Sequence, residues 1–244
     1  MPQIEGAGVA LHYDERGDGP ALLVIHGMAS DAATWADALD EFAGAGARAI
    51  AYDRRGYGAS GAPQPYVATT VQEQAQDAAE LLDGLQAAPA LLVGDGFGAL
   101  VALELLVRRP ELAAGAVLAE PPLFAFVPQA TEMLAEQRQR LEDALRQGGP
   151  EAGVQAWLGD EVSAERLRRA RVSYLGFYAD YAGQSSWSPS RRELRVVAAP
   201  VVVVTDTASV PHVVAAAEAL SGLLGDVRHA RDGGIVAAAR ALLA

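Results

Sequence analysis

Apolar residues along the chain fall into short unbroken runs alternating with stretches of a different period. Ala21-Leu22-Leu23-Val24-Ile25, Ala47 to Tyr52, Ala90 to Val93, Ala116 to Ala119 and Val201 to Val204 are continuous runs ending at polar or glycine-rich turns. Runs this short predict buried strands. Asp226 to Ala230 carries a weaker version of the pattern, and His12 lies among earlier amino-terminal strands. Between them, residues 31–42 and 71–85 have helical apolar spacing, Gly98 to Leu103 opens a further helix, and Ile235 to Leu243 closes the chain as another. Strands alternating with helices predict an α/β fold with a mostly parallel sheet flanked on both faces. Ligands of such sheets bind beyond the carboxyl ends of the strands, where His26, Asp53, Gly96, Glu120 and Asp206 fall.

The alternation breaks between residues 124 and 190, where helical patterns run over 130–146, 150–157 and 163–181. This predicts a helical cap inserted into a core made of residues 1–123 and 191–244. Tyr174, Phe177, Tyr178 and Tyr181 share one helical face, and Phe124, Trp187 and Tyr57 add further rings. Two roles stay open for them: packing of the cap on the sheet, or the lining of a pocket for an apolar or aromatic substrate.

Composition narrows the classes of function. With 244 residues, 51% of them apolar, the chain is long enough for one sizeable core. A formal net charge of −12 argues against nucleic acid as a partner, because phosphate neutralisation needs clustered cations. The short runs Arg166 to Arg171 and Arg191-Arg192 read as solvated helix faces or partners of acidic residues. There is no cysteine, hence no disulfide or thiolate chemistry. Four scattered histidines do not suggest a metal site, and no nucleotide loop suggests a cofactor. The amino terminus lacks an export signal and no apolar run approaches the roughly 18 residues of a membrane span, so a cytoplasmic location is expected. A homodimer is an open possibility.

The segment Leu91-Leu92-Val93-Gly94-Asp95-Gly96-Phe97-Gly98-Ala99 has the frame of a nucleophile elbow, a sharp strand-to-helix turn with glycines two before and two after the attacking residue. Here the residue between Gly94 and Gly98 is Gly96, which has no side chain to attack with. Leu23 to Met28 resembles the HG oxyanion loop of the α/β-hydrolase superfamily, Tyr52-Asp53-Arg54-Arg55-Gly56-Tyr57-Gly58-Ala59-Ser60 resembles its D-x-R-G-x-G-x-S motif, and Ala119-Glu120-Pro121-Pro122 is similar to its E-P-P turn. The resemblance runs along essentially the whole chain and implies that superfamily's fold.

Set against that family, the catalytic positions are degenerate. The resemblance places the nucleophile at Gly96, the acid at Ser209 with Asp206 three residues early, and the histidine near Gly234 and Ile235, where the sequence reads Arg231-Asp232-Gly233-Gly234-Ile235. A Ser-His-Asp mechanism is not available to this chain. The backbone N–H groups of Phe97 and Met28 are where the resemblance puts the oxyanion hole, and they need no side chain. Candidate acids or bases are Glu120, His26, Asp95 and His212. His26 could instead support its loop, Glu120 could be a strut or a partner of Arg54 or Arg55, and Asp95 could be a polar residue beside the turn.

These observations lead first to a non-hydrolytic enzyme of secondary metabolism that promotes cyclisation, isomerisation or elimination of a polyketide-like molecule. Two alternatives are a pseudoenzyme that binds a small apolar ligand, and a hydrolase with displaced catalytic residues.

Overall fold

A computed structural model describes residues 2–232 and 234–244. Gly233, in the segment expected to precede the final helix, lies outside the described residues, as does Met1. Among the described residues, eight strands form one sheet: β1 (Gln3–Glu5), β2 (Ala10–Arg16), β3 (Ala21–Ile25), β4 (Arg48–Tyr52), β5 (Ala90–Asp95), β6 (Ala113–Ala119), β7 (Val201–Thr205) and β8 (Val227–Arg231). Their spatial order is β1-β2-β4-β3-β5-β6-β7-β8. The pairs β1/β2 and β2/β4 are antiparallel and the rest are parallel. Helices α1 (Ala36–Gly44), α2 (Val71–Gly84), α3 (Phe97–Arg108), α8 (Pro211–Ser221) and α9 (Ile235–Leu243) cover the sheet. Between β6 and β7 lie α4 (Ala130–Leu158), α5 (Ala164–Val172), α6 (Tyr174–Gln184) and the short α7 (Arg191–Arg195).

The two-residue period of a strand explains why the central runs are apolar at every position. Leu23, Ile25, Leu92, Ala116, Leu118, Val201 and Val203 face one layer with Leu82, Leu100, Leu103 and Leu220 from α2, α3 and α8. Leu22, Val24, Leu91, Val93, Val117, Val202 and Val204 face the other, against Leu39 and Phe42 of α1 and Ala238 and Ala239 of α9. A strand buried on both sides has no polar face to show.

Local chemistry sets several helix ends. Thr70 accepts the Glu73 N–H at the start of α2, Ser163 accepts that of Arg166 at α5, and Ser190 with Glu193 forms a reciprocal capping box at α7. The sequence pattern expects separate helices over 130–146 and 150–157. They are joined end to end as α4 but broken at Gly149, whose φ is 76°, because Pro150 lacks the N–H needed to continue the ladder. The pattern over 163–181 divides into α5 and α6, with Ser173 between them. Residues 31–42 begin as a 3-10 turn, Ala32–Trp35, capped by Asp31 before α1. None of the described helices is long and apolar enough to cross a membrane.

A buried ion pair ties α6 to the sheet. Arg54 and Asp180 are both fully buried and meet through two hydrogen bonds, Nη2 to Oδ2 at 2.6 Å and Nη1 to Oδ1 at 3.1 Å. Asp180 also accepts from Tyr57 Oη at 2.6 Å and Gln74 Nε2 at 3.2 Å. Burial works against the Arg54 charge, and the facing carboxylate together with Tyr57 and Tyr52 more than offsets it, so the guanidinium remains charged. Removing one partner of such a pair strands the other charge in a dry interior. Asp180→Ala is expected to cost about 3–5 kcal/mol. That corresponds to a melting temperature lower by on the order of 10 °C, checked by calorimetry and urea unfolding.

Candidate active site

The turn between β5 and α3 keeps the geometry of an elbow. Gly96 sits at φ 52°, ψ −116°, a backbone conformation that side-chain-bearing residues adopt only under strain. The flanking glycines are sterically required. A Cβ on Gly98 would fall 1.9 Å from the Ile25 carbonyl oxygen, and one on Gly94 would fall 2.5 Å from that of Gly98. A Cβ on Gly96 would meet only the Gly27 Cα, at 3.9 Å. Space for a nucleophile is therefore present, and the sequence leaves it open.

That space is the floor of a cavity of about 980 Å³ between the strand ends and the cap. Met28, Asp95, Gly96, Phe97, Glu120, Phe124 and His212, all singled out from sequence, line it. Phe97 is the first residue of α3, so its N–H has no intrahelical acceptor and stands at the positive end of the helix. Asp95, at the last position of β5, is only partly accessible. Burial first, and the Glu120 carboxylate second, push its carboxyl up to about 6, against smaller opposing effects of Arg166 and Arg54. Glu120 follows β6 with a left-handed φ of 46°, and its Oε1 accepts the Ser209 hydroxyl. His212 packs on Phe124, ring centroids 5.3 Å apart, and partial burial lowers its pKa.

Other sequence candidates lie elsewhere. His26 is buried with Nδ1 2.8 Å from the Gly27 carbonyl, while Nε2 accepts the Arg54 N–H at 3.0 Å. Burial and then the Arg54 charge hold its pKa well below the ordinary histidine value, and with both ring nitrogens engaged it braces the HG loop and does not line the cavity. Tyr57 is buried against His26 and committed to Asp180, and it does not line the cavity. Trp187 is buried beneath α3, its Nε1 donating to Glu104 at 2.9 Å. Tyr174, Phe177 and Tyr178 pack inside the cap with Leu141, Val154 and Ala170 instead of facing the cavity. Their shared face serves packing: Phe177 and Tyr181 stack edge-on behind Trp157, at 5.6 and 5.8 Å, and Trp157 is the ring that reaches the cavity. Asp53 is likewise structural, accepting the Ala32 and Ala59 N–H groups and contacting His12. Asp206 is exposed and braces its own turn through the Ala208 N–H. Arg54 and Arg55 pair with Asp180 and Asp77, not with Glu120.

The sequence reading missed the α4 wall, where Ala130, Met133, Gln137 and Arg140 line the cavity. Their spacing of three and four residues was the available signal, but a helix face shows only that it is buried against something, not what.

Residues 20–203 match the model of a family described as the alpha/beta hydrolase fold, and the chain belongs to that family. An epoxide hydrolase of Caballeronia sordidicola is 41% identical over 104 residues, 43% of this chain and 32% of that protein. An uncharacterized hydrolase, YraK, of Bacillus subtilis is 31% identical over 125 residues, 51% of this chain and 45% of that one. The chain thus spans less than half the length of these curated relatives. Among solved structures, an alpha/beta hydrolase from Sphaerobacter thermophilus superposes with a TM-score of 0.82 at 19% identity, covering 100% of both chains, which is a likeness of fold.

Because the Asp95 carboxyl titrates above its ordinary value of 3.8, folding takes up a proton between pH 4 and 6. The folded state binds more protons there than the unfolded state, so stability falls as pH rises through this window. Asp95→Asn removes the effect. Relative to the wild type, the variant should gain on the order of 2 kcal/mol between about pH 4 and pH 7, and nothing further above. Urea unfolding at pH 4, 6 and 8 tests this, and a stability difference independent of pH would count against it.

Proposed function

We propose that the chain is a proton-transfer enzyme acting on an apolar, carbonyl-bearing small molecule of polyketide type, catalysing isomerisation, elimination or cyclisation without a covalent acyl intermediate. The observation carrying this reading is the combination at one turn: an elbow with no nucleophile, and beside it a carboxyl group, Asp95, raised to about 6 on the cavity floor. A base poised near the working pH combines a sufficient ionised fraction with useful proton affinity.

In this reading Asp95, mostly ionised at neutral pH, takes a proton from a carbon next to the substrate carbonyl. The C–H electron pair moves into the enolate, and the N–H groups of Phe97 and Met28 meet the negative charge developing on oxygen. The proton then returns to a different carbon in an isomerisation, or the enolate expels a leaving group or closes a ring. Gly96 leaves room for the bound carbonyl, while Trp157, Met133, Phe97 and Phe124 supply the apolar walls. His212, across the cavity with its pKa lowered by partial burial, can steady a leaving group by a hydrogen bond, and the proton taken up by Asp95 is the one that neutralises it.

The hydrolase names of the relatives favour a second reading, in which Asp95 activates water against an electrophile such as an epoxide. Both readings need Asp95; they differ in product. A panel of β-dicarbonyl compounds, aryl epoxides and p-nitrophenyl esters followed by chromatography separates them. Rearranged or dehydrated product is expected, with kcat/KM rising as pH passes through about 6 and Asp95→Asn lowering it by about 10²-fold or more. Diol or acid products would establish the hydrolytic reading. Ligand-dependent thermal stabilisation with no turnover by the wild type would leave a binding protein.

A further inference from the structure

Ser209 occupies the loop after β7, where its family resemblance would place a catalytic carboxylate, and its hydrogen bonds are directional. Its Oγ accepts the Asp206 N–H at 2.7 Å. A hydroxyl has one proton to give, and that proton goes to Oε1 of Glu120. The loop around it is braced: the Ser209 N–H reaches the Asp206 carbonyl at 3.1 Å, and Asp206 Oδ1 accepts the Ala208 N–H at 2.8 Å. Ser209 is therefore a fixed donor aimed at one carboxylate oxygen.

Glu120 is held from its backbone as well. Its N–H continues the β6/β7 ladder to the Val204 carbonyl at 2.9 Å, and its φ of 46° then turns the chain out of the strand. A non-glycine residue held in this left-handed conformation is strained. The same strand end carries Asp95 alongside, paired with Ala119 in the sheet, so the two carboxyl groups line one cavity floor from adjacent strands.

Resting on the reading of Asp95 as the base, we propose that Ser209 is a positioning residue: its hydroxyl holds the Glu120 carboxylate on the cavity floor, where Glu120 strengthens Asp95 as a proton acceptor. The physical basis is like-charge repulsion. While Asp95 is ionised, two negative charges share a poorly solvated floor, and a proton moving from substrate to Asp95 relieves their repulsion. The other charged or titratable groups that act on Asp95 or share its cavity are Arg54 from the turn after β4, Arg166 from α5, Glu136 and Arg140 from α4, and His212 from α8. None of them bonds Glu120 among the described residues; Ser209 does. Without the serine hydroxyl, the Glu120 carboxylate is free to turn toward solvent, and Asp95 loses its neighbour.

The test reads Asp95 directly in the unliganded protein, by carboxyl-carbon NMR titration of aspartate-labelled wild type, Ser209→Ala, Ser209→Thr and Glu120→Gln. Assignment comes from the resonance lost in Asp95→Asn. Ser209→Ala and Glu120→Gln should each lower the Asp95 midpoint by on the order of one unit, and the double variant should lower it no further than Glu120→Gln alone. Ser209→Thr, which keeps the hydroxyl, should restore the wild-type midpoint. With an active substrate, Ser209→Ala should reduce kcat about tenfold with KM unchanged. A Ser209→Ala midpoint equal to wild type while Glu120→Gln lowers it overturns the role of Ser209 and leaves Asp95 as base untouched. No change in Glu120→Gln overturns the carboxyl coupling itself. Failure of the underlying reading looks different: Asp95→Asn would retain full turnover.

Discussion

One guanidinium organises the floor and the roof of this molecule. Arg54 directs its donors at four acceptors on two pieces of chain: the two Asp180 oxygens of α6, and the His26 carbonyl at 2.8 Å and the Gly27 carbonyl at 3.1 Å in the loop after β3. Its flat face lies over the rings of Tyr57 and Phe97, 4.8 and 4.9 Å from their centroids. The loop after β3, the first turn of α3 and the helix α6 are thereby registered to a single buried cation. Burying that charge is costly, and only a bidentate carboxylate with further donors of its own offsets it. The arrangement is stiff for the same reason: no member can move without exposing an unpaired charge to a dry interior.

Held by that frame, the elbow separates two properties that usually travel together. The tight crossing of β5 and α3 depends on Gly94 and Gly98, whose added Cβ atoms would collide with backbone. The chemistry of an elbow depends on the residue between them, and Gly96 supplies none. What stays is a strained turn, a helix N-terminus aimed at a cavity and a neighbouring carboxyl whose proton affinity is raised by burial and by Glu120. Each is set by backbone placement, so the site keeps its electrostatic shape with the side chain gone. The positive φ of Glu120 and its bond to Ser209 belong to the same design: the loop after β7 steadies a carboxylate it does not carry.

Much of the fold was legible in the chain because strand burial writes itself into local pattern. Five apolar runs became β3 to β7, and the alternation with helices became a parallel sheet covered on both sides. The cavity lining was legible mainly near strand ends: Met28, Asp95, Gly96, Phe97 and Glu120 follow directly from them, and Phe124 and His212 lie a few residues further on. The aromatic residues of α6 show the limit. Tyr174, Phe177 and Tyr178 share a face in sequence, but that periodicity says the face is covered without saying whether a ligand or Trp157 covers it.

Periodicity, glycine spacing and the absence of a hydroxyl at position 96 are local properties, and the sequence by itself determined them: the layered sheet, the frame of the elbow and the bare position at its centre. The tertiary structure alone decided partners. It assigned Asp180 to Arg54 across 126 positions, buried Tyr57 and Trp187 away from the cavity, and brought Ser209 to Glu120 across 89. The reason is physical: proton affinity and charge pairing depend on distance through space and on local dielectric, and neither quantity is a function of position along the chain.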